Sequence, residues 1–518
     1  MLRSLRNLRR LMAIARSFAR YDALFLLDIF PAGAAGARIA RTLWRPRPDV
    51  KGLRPGQRLA LALTALGPSF IKFGQALSIR ADLLGEQVAA DLTSLQDRLP
   101  PFPFAEAEAA IESDFGVPLS SLYKSFDETA VAAASIAQVH FAVDTQDREV
   151  AVKVLRPGVK AAFARDIDVL LWLAELAEYH EPRLQRLKPV EVVHTFAESV
   201  RIEMDLRFEA AAAQEMAENF AGDPTFKIPG VDWQRTSERV LTLERVSGAR
   251  VDDRVAVAAL GIDSVAVVRT AAEVFFKMVF RHGFFHADMH PGNLFVAENG
   301  VLIGMDFGIM GRVDAATQKI LGEMLLGFLT RDYRRVAEVH IRAGYVPADK
   351  SVDAFAQACR SIAEPILGKP IAEISIARLL GQLFQITETF EMQTQPQLLL
   401  LQKSMLLAEG VGRTLAPQVN MWEMAQPMIE TWMRERLGPE GQIADAVGTA
   451  MDTLQKLPHI IDRVDAVTAD MARGGLRLHP DTARAIRGEE PGKNGRVPWM
   501  LWAPWVLAAA LLAALMFR

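Results

Sequence analysis

The sequence has almost no cysteine and no excess of charge of one sign. Its 518 residues include a single cysteine, Cys359. One cysteine excludes an intrachain disulfide and is typical of a reducing compartment, so we expect Cys359 to pack as a small apolar side chain. The 59 basic and 62 acidic residues nearly cancel. Because a dedicated nucleic-acid-binding protein normally carries a basic excess, no nucleic acid is expected among the partners.

Charge is missing from one long stretch near the C-terminus. Residues 497–517 contain no charged side chain, and three tryptophans cluster at one end, Trp499, Trp502 and Trp505. A helix of this length can cross a hydrocarbon core of about 30 Å, and tryptophans prefer its interfaces. The sequence therefore predicts a single C-terminal transmembrane helix after a polar linker at 476–496, whose basic residues favour the cytoplasmic side. A buried C-terminal helix is the alternative.

Acidic residues are missing from the other end of the chain. The first 20 residues contain six arginines and no acid, and their leucines fall near helical spacing. Residues 1–50 are therefore predicted to be a basic amphipathic segment that can lie on an anionic membrane. A targeting presequence and an ordinary surface helix remain open as alternatives.

The remaining chain divides into three regions. Residues 51–130 have the periodicity of a helical extension, 131–246 that of a small mixed lobe, and 247–475 that of a larger helical lobe. Strands and helices in the two lobes together predict an α+β fold.

Two strands and one hairpin are the clearest β signals. Residues 149–155, "EVAVKVL", alternate in polarity, and residues 239–246, "RVLTLERV", form a second candidate strand. Between them, residues 161–220 resemble two long helices. The pair Asn299-Gly300 predicts a tight hairpin, because it favours positive φ. Apart from this hairpin, the larger lobe is predicted to be helical.

Three of the nine histidines lie in one run, "RHGFFHADMHPGNLFV", at His282, His286 and His290. Their spacing of four residues would align them on a helix. However, Gly283 weakens such a helix, and Pro291 pushes the residue before it out of the α region. No cysteine or further histidine nearby completes a zinc-binding pattern. The histidines are therefore not predicted to form a metal cage.

The same run contains the spacing of a kinase catalytic loop. Asp288 and Asn293 are five residues apart, and the "DFG" that follows the hairpin places Asp306 18 residues beyond Asp288. In phosphoryl transfer this order supplies an acid/base and hard oxygen ligands for Mg²⁺ near the γ-phosphate. We therefore predict Asp288 as the catalytic acid/base, and Asn293 with Asp306 as metal ligands. His286 is expected to pack behind the DFG sequence.

A lysine upstream completes the pattern. "VAVK" ends at Lys153 on the predicted strand, where kinases hold the α- and β-phosphates and pair the lysine with a glutamate. Lys153 is therefore a predicted catalytic and nucleotide-binding residue. Its candidate partners in "RIEMDLRFEAA" are Glu203, Asp205 and Glu209.

Glycine is absent where a kinase has its glycine-rich loop. In "AAASIAQV" three alanines stand in the register of the three glycines. A positive φ costs alanine about 1 kcal/mol or more of conformational free energy, so this loop cannot wrap phosphates as a glycine loop does. The residues predicted to contact nucleotide are Ala132, Ala133, Ala134, Ser135, Ala137 and Val139, together with Glu244 on the second strand.

Four motifs resemble those of the UbiB/ADCK family of atypical kinase-like proteins. They are "KFGQ" from Lys72 to Gln75, the Ala-rich "AAASIAQVH", "EMD" from Glu203 to Asp205, and "HADMHPGN" with "DFG". Together they span roughly residues 70–310.

This resemblance implies an atypical protein-kinase-like bilobal fold with the helical extension laid over the cleft. Lys72 and Gln75 would form a regulatory lid there, with Lys72 paired to Glu203, and Lys153 would pair with Glu209. The implied cofactors are ATP or ADP, and Mg²⁺.

The family is linked to ubiquinone biosynthesis, which implies an ATPase that acts on or for lipid-soluble precursors at the membrane. The expected location is the bacterial inner membrane with a cytoplasmic catalytic domain. Membrane lipids, ubiquinone precursors and other proteins of that pathway would be its partners. A small-molecule or lipid phosphotransferase is the main alternative, because "HPGN" also resembles aminoglycoside- and choline-kinase loops. A conventional protein kinase, disfavoured by the Ala-rich loop, and a nucleotide-binding scaffold are two further alternatives.

Overall fold

The computed structural model describes most of the chain up to residue 437. The described residues are 2–26, 31–78, 84–92, 95, 99–180, 188–367, 369, 382, 385–387, 389–392 and 396–437. The predicted linker at 476–496 and the predicted span at 497–517 lie outside them. Among the described residues, no helix is both long enough and apolar enough to cross a membrane.

The chain divides into two compact units. One is Arg9–Glu430, and the other combines Met1–Leu8 with Thr431–Arg518. In the second unit, the described residues belong to the helices Leu2–Arg20 and Met421–Leu437. All predicted site residues belong to the first unit.

The helices of the described residues are numbered here in chain order. They are α1 (Leu2–Arg20), α2 (Pro31–Leu43), α3 (Pro55–Leu66), α4 (Pro68–Ser78), α5 (Glu86–Leu92), α6 (Phe104–Phe115), α7 (Leu119–Leu122), α8 (Val159–His180), α9 (Pro189–Glu203), α10 (Leu206–Asn219), α11 (Arg254–Ala259), α12 (Ser264–Phe276), α13 (Ala315–Leu329), α14 (Tyr333–Arg342), α15 (Val352–Ala363), α16 (Pro396–Leu415) and α17 (Met421–Leu437). A short π-helical turn, Lys277–Arg281, extends α12.

The strands of the described residues form three sheets. They are β1 (Tyr123–Phe126), β2 (Ala132–Ala133), β3 (Ala137–Asp144), β4 (Glu149–Leu155), β5 (Phe226–Lys227), β6 (Val240–Glu244), β7 (Ala249–Arg250), β8 (Phe284–His286), β9 (Leu294–Val296), β10 (Leu302–Gly304) and β11 (Met310–Arg312). The main sheet is antiparallel, in the order β1-β3-β4-β6, and β2 pairs with β3. The second sheet has the order β5-β10-β9-β7, and the third pairs β11 with β8.

Alternation along β4 decides which way Lys153 points. Val150, Val152 and Val154 belong to the hydrophobic core that β4 shares with α6. Because side chains alternate between the two faces of a strand, Lys153 lies on the opposite face. That face is where the sheet meets the rest of the site.

The helical extension shares a core with the smaller, mixed lobe, which is called the N-lobe. Leu63 of α3 and Phe70 of α4 share one buried cluster with Phe163 of α8 and Phe196 of α9. Helix α4 packs so closely that a Cβ at Gly74 would overlap the side chains of its neighbours. The "KFGQ" helix is therefore held by apolar packing against the lobe that carries Lys153.

The predicted bounds of the helical regions were wrong where short strands occur. The sheet begins with β1 at Tyr123, inside the region 51–130 that was predicted to be helical. The lobe predicted to be helical apart from one hairpin also contains β7, β8 and β11. Strands of two to four residues are too short for alternation to distinguish them from loops or helix ends. The hairpin at Asn299-Gly300 is confirmed, since β9 and β10 pair across it and Gly300 has a φ of +82°.

The described residues between 161 and 220 form three helices, where two were predicted. Helices α8, α9 and α10 follow one another, and α9 ends at Glu203. Asp205 caps the N-terminus of α10. Its side chain accepts a hydrogen bond from the Arg207 N–H and so satisfies one of the free N–H donors of the first turn. This break places Glu203 and Glu209 on different helices.

Candidate active site

The Lys153 ammonium connects two carboxylates. Its Nζ lies 2.8 and 2.9 Å from the two carboxylate oxygens of Glu209 and 3.1 Å from Oδ1 of Asp306. Lys153 is on β4 and Glu209 is in the first turn of α10, whereas Asp306 follows β10. The structure thus brings together three predicted site residues from distant parts of the sequence. It pairs Lys153 with Glu209, as the family resemblance implied, and not with the other two acidic candidates.

The charges of this cluster shift its protonation equilibria. Lys153 lowers the pKa of Asp306 well below its usual range, against the partial desolvation of this half-exposed side chain. Burial opposes the protonated form of Lys153, but the charges of Asp306 and Glu209 outweigh it and raise its pKa. Burial and the nearby Asp306 raise the pKa of Glu209 to about 7, against the attraction of Lys153. Asp306 is therefore ionised at neutral pH and can act as a hard oxygen ligand.

The backbone presents Asp306 to the cleft through an uncommon conformation. Its φ is +57°, in the left-handed region that non-glycine residues rarely occupy. The next residue, Phe307, is buried, and its ring lies 5.5 Å from that of His286. Anchored in this way, the chain turns the Asp306 carboxylate outward, so that about half of it is exposed.

His286 holds the catalytic loop against the DFG sequence, as predicted. The Asp288 N–H donates to its Nδ1 at 3.1 Å, so the proton of the neutral ring is on Nε2, which lies 3.0 Å from the Met305 carbonyl. The other two histidines have separate partners: the His282 ring packs on Phe220, and His290 accepts the N–H of Gly292. Within the described part of the chain, no group of three or more His, Cys, Asp or Glu side chains is placed to hold a metal.

Asn293 joins the catalytic loop to the segment that precedes Asp306. Its side-chain N–H donates to the Asp288 carbonyl at 3.1 Å, and its own carbonyl accepts the Met305 N–H at 2.8 Å. The first bond uses the amide nitrogen and leaves the side-chain oxygen as an acceptor. One carboxylate and one amide oxygen, completed by phosphate and water oxygens, fit the ligand set of Mg²⁺. The residues present are therefore compatible with the predicted metal site.

The extension contributes a second lysine–glutamate pair. Lys72 Nζ of α4 lies 3.0 Å from Oε2 of Glu203, at the end of α9. The charge of Lys72 also helps to lower the pKa of Asp306, after the larger effect of Lys153, so α4 reaches the same region. Gln75 donates to the carbonyl of Leu95 at 3.2 Å and anchors the segment after α5. The two residues predicted to form the lid thus have different contacts.

The Ala-rich loop is a hairpin between β2 and β3 without any positive φ. Ala132 pairs with Val139, and the Ala134 N–H donates to the Ala137 carbonyl at 2.8 Å. Ser135, at the tip, is completely buried. Because every residue here uses backbone angles that alanine tolerates, the methyl groups replace glycine without strain.

Glu244 lies apart from the Lys153 cluster. It pairs with Val150 across the sheet, three residues along β4 from Lys153, or roughly 10 Å. Its carboxylate lies 2.5 Å from Lys227 Nζ and accepts the Gly230 N–H at 3.3 Å. The structure therefore gives this side chain an ion pair away from the cluster.

Gln138 and His140 are buried polar residues beside the Ala-rich loop, and the sequence analysis did not single them out. The Gln138 side chain accepts the Phe102 N–H at 2.8 Å and donates to the Phe102 carbonyl at 3.2 Å. It also lies 2.8 Å from His140 Nε2, while His140 Nδ1 lies 2.8 Å from the Asp127 carbonyl. Both side chains are buried. The sequence signal for them was a glutamine and a histidine at alternate positions of the strand "AQVH", which places them on the same face. They attach the segment 99–103 to the strand that follows the Ala-rich loop.

This arrangement of lysine, glutamate, catalytic loop and DFG defines the kinase-like class. Residues 94–340 match the model of the ABC1 atypical kinase-like domain, and residues 359–420 match the UbiB helical domain. A solved complex of Rv3197 with erythromycin, from Mycobacterium tuberculosis, is 25% identical and covers 68% of this chain and 90% of that chain, with a TM-score of 0.48.

Three proteins named probable protein kinase UbiB are similar over nearly the whole chain. The one from Pseudomonas entomophila is 40% identical, with 97% of this chain and 92% of that protein covered. Those from Marinobacter nauticus and Aeromonas hydrophila are 41% and 42% identical, with 98% and 93% of this chain covered and 93% and 88% of theirs. The chain therefore belongs to the UbiB family of atypical kinase-like proteins, as the motifs predicted.

Proposed function

We propose that this protein is a membrane-bound atypical kinase or ATPase of the UbiB type that uses ATP and Mg²⁺ to support ubiquinone biosynthesis. The observation that carries the proposal is the position of Lys153 between Glu209 and Asp306. A partly buried lysine held by a helix glutamate next to the DFG aspartate is the arrangement that kinases use to bind ATP phosphates.

Each residue of the cluster has a role in this proposal. Lys153 binds the α- and β-phosphates, and Glu209 fixes its direction. Asp306 and Asn293 would hold Mg²⁺, which supplies charge neutralisation at the transferred phosphoryl group when bound. Asp288 accepts or returns the proton of the attacking hydroxyl or water.

The extension supports a small or lipid-soluble acceptor over a polypeptide. Helix α4 packs into the N-lobe core, and its Lys72 acts electrostatically on Asp306. A helix that is held at the cleft by a hydrophobic core cannot move aside as easily as a flexible loop. We therefore propose that ATP hydrolysis, or phosphate transfer to a lipid-soluble precursor, is favoured over phosphorylation of protein substrates.

Two segments support membrane attachment at the bacterial inner membrane. They are the basic segment at 1–50 and the apolar segment at 497–517, which lies outside the described residues. A chain truncated after residue 496 should move from the membrane fraction to the soluble fraction. Replacing residues 497–517 by an unrelated transmembrane helix should restore membrane binding, and unchanged fractionation of the truncated chain would contradict the anchor.

Phosphate release tests the reaction itself. The full-length protein in liposomes should release phosphate from Mg–ATP without an added acceptor, and phenolic quinone precursors should stimulate it. Asp288→Asn should lose this activity but retain nucleotide binding. Deletion of the gene should lower ubiquinone, and the wild-type gene, but not the Asp288→Asn gene, should restore it.

The alternative is a small-molecule or lipid phosphotransferase, favoured by the "HPGN" turn in which His290 caps Pro291–Asn293. Such an enzyme needs an acceptor hydroxyl in each cycle. A strict requirement for an added alcohol, with a phosphorylated product, would select this alternative over the ATPase.

A further inference from the structure

Arg156 lies directly after β4 and contacts both sides of the Ala-rich loop region. Its backbone N–H donates to the Ile136 carbonyl at 2.7 Å. Its guanidinium donates to the Pro100 carbonyl at 2.8 Å and lies 3.5 Å from the Ala134 carbonyl. The same group lies over the Phe102 ring, 5.2 Å from its centre. One side chain therefore connects the loop tip with the segment 99–103.

The partners of Arg156 are themselves fixed. Phe102 is buried, and its N–H and carbonyl are both bound by the Gln138 side chain. At the tip, the Ala134 N–H is bound to the Ala137 carbonyl. Because the guanidinium is planar and rigid, one bond to the Pro100 carbonyl, a longer contact with the Ala134 carbonyl and a stacked ring fix its orientation better than a lysine could.

We propose that Arg156 is the positioning residue of the Ala-rich loop. It links the loop tip to the segment 99–103 and so fixes the distance between the loop backbone and the nucleotide phosphates. This inference rests on the proposed nucleotide-binding function. A glycine-rich loop closes over its nucleotide by moving, whereas this loop is held in place before nucleotide arrives. Preorganisation of this kind increases affinity by reducing the ordering required on binding.

The test compares Arg156→Met, Arg156→Lys and Arg47→Met in the full-length protein. Methionine keeps the length and apolar stem of Arg156 but removes its hydrogen bonds, and lysine keeps the charge with one compact donor. Arg47 is a matched control, because its guanidinium stacks on Tyr21 and bonds to its hydroxyl at 2.9 Å within the N-terminal segment.

The first measurement is amide hydrogen exchange of residues 132–139 without nucleotide. Arg156→Met should speed exchange about tenfold, as expected for the loss of one or two hydrogen bonds, and Arg156→Lys should have an intermediate effect. Arg47→Met should leave exchange there unchanged. If Arg156→Met folds and its exchange is unchanged, Arg156 does not hold the Ala-rich loop in place, whether or not the protein binds nucleotide.

The second measurement is nucleotide affinity and turnover. Arg156→Met should raise the KM for Mg–ATP about tenfold with kcat changed less than about twofold, because the catalytic residues are untouched. Faster exchange with an unchanged KM would overturn the positioning role. If the wild-type protein fails to bind nucleotide, the proposed function and the positioning role both fail, and exchange still decides whether Arg156 holds the loop.

Discussion

Lys72 Nζ lies 3.0 Å from Oε2 of Glu203, and only 14% and 13% of these two side chains are exposed. The pair joins α4 of the extension to the end of α9, next to the turn at Asp205 that starts α10. Helix α10 in turn carries Glu209, the partner of Lys153. The extension and Lys153 are therefore coupled through two consecutive helices.

Reversing this pair should reveal its contribution to stability. Lys72→Glu or Glu203→Lys alone should lower the free energy of unfolding by about 3–5 kcal/mol, because each places like charges together in a largely buried site. The double variant should recover a substantial part of that loss. Chemical denaturation of the four proteins gives the coupling energy, and strictly additive losses would contradict a direct pair.

Asp306→Asn should weaken Mg–nucleotide binding by roughly 100-fold, because a charged oxygen ligand becomes a neutral amide. Calorimetric titration measures the affinity. Asp314→Asn is the matched control: Asp314 caps α13 through the Thr317 N–H, and asparagine caps equally well. Binding by Asp306→Asn at the wild-type level would rule out Asp306 as a metal ligand.

Ala134→Gly should weaken nucleotide binding by about threefold, since glycine adds backbone freedom to a loop that is otherwise held in place before nucleotide arrives. Ala249→Gly in β7 controls for the loss of a methyl group from a strand elsewhere. Affinities of both variants for ATP and ADP, measured side by side, check the expectation. Equal affinities in Ala134→Gly and wild type would mean that the loop does not lie over the phosphates.

Cys359 should be unreactive in the folded protein. It is buried among apolar side chains of α14 and α15, as predicted, and burial raises the pKa of its thiol to about 12. Maleimide at pH 8 should label it only after unfolding, because the thiolate is the reactive form. Cys359→Ser should lower the free energy of unfolding by about 1–3 kcal/mol, and Cys359→Ala, which buries no hydroxyl, serves as the control. Rapid labelling of the native protein would contradict this packing.

Asp223 should make stability depend on pH in acid. Burial opposes its ionisation, but Lys277, 2.6 Å away, and the hydroxyl and N–H of Thr225 lower its pKa to about 2. A carboxyl with a lowered folded-state pKa stabilises the fold above its unfolded pKa, and this stabilisation is lost as the pH falls from about 4 to 2. The loss should be at most about 2 kcal/mol, reduced by solvent screening.

Asp223→Asn should remove this part of the pH dependence, and Lys277→Met should shift it towards higher pH. Denaturation curves at several pH values between 2 and 7 measure both effects. A wild-type curve that matches Asp223→Asn throughout this range would show that Asp223 does not contribute.

The candidate site residues could be proposed from the sequence because their spacing is local. Asp288, Asn293 and Asp306 lie on one loop and hairpin, and Lys153 ends an alternating strand. Long helices and the Asn-Gly hairpin were predicted for the same reason. Short strands such as β1 and β8 were missed, because pairing partners far along the chain stabilise them and their own few residues have no detectable period.

The amino-acid sequence alone determined the family, the register of the motifs and the absence of glycine from the Ala-rich loop. The residue pattern alone left Glu203, Asp205 and Glu209 open as partners of Lys153, and the family resemblance implied one pair for each lysine. Only the tertiary structure forms these pairs, because the break at Asp205 directs Glu203 to Lys72 and Glu209 to Lys153. The structure also decided the contacts of Arg156, because its partners at positions 100, 134 and 136 come together only when the segment 99–103, the hairpin and β4 are packed. Contacts between distant segments depend on the packing of the whole core.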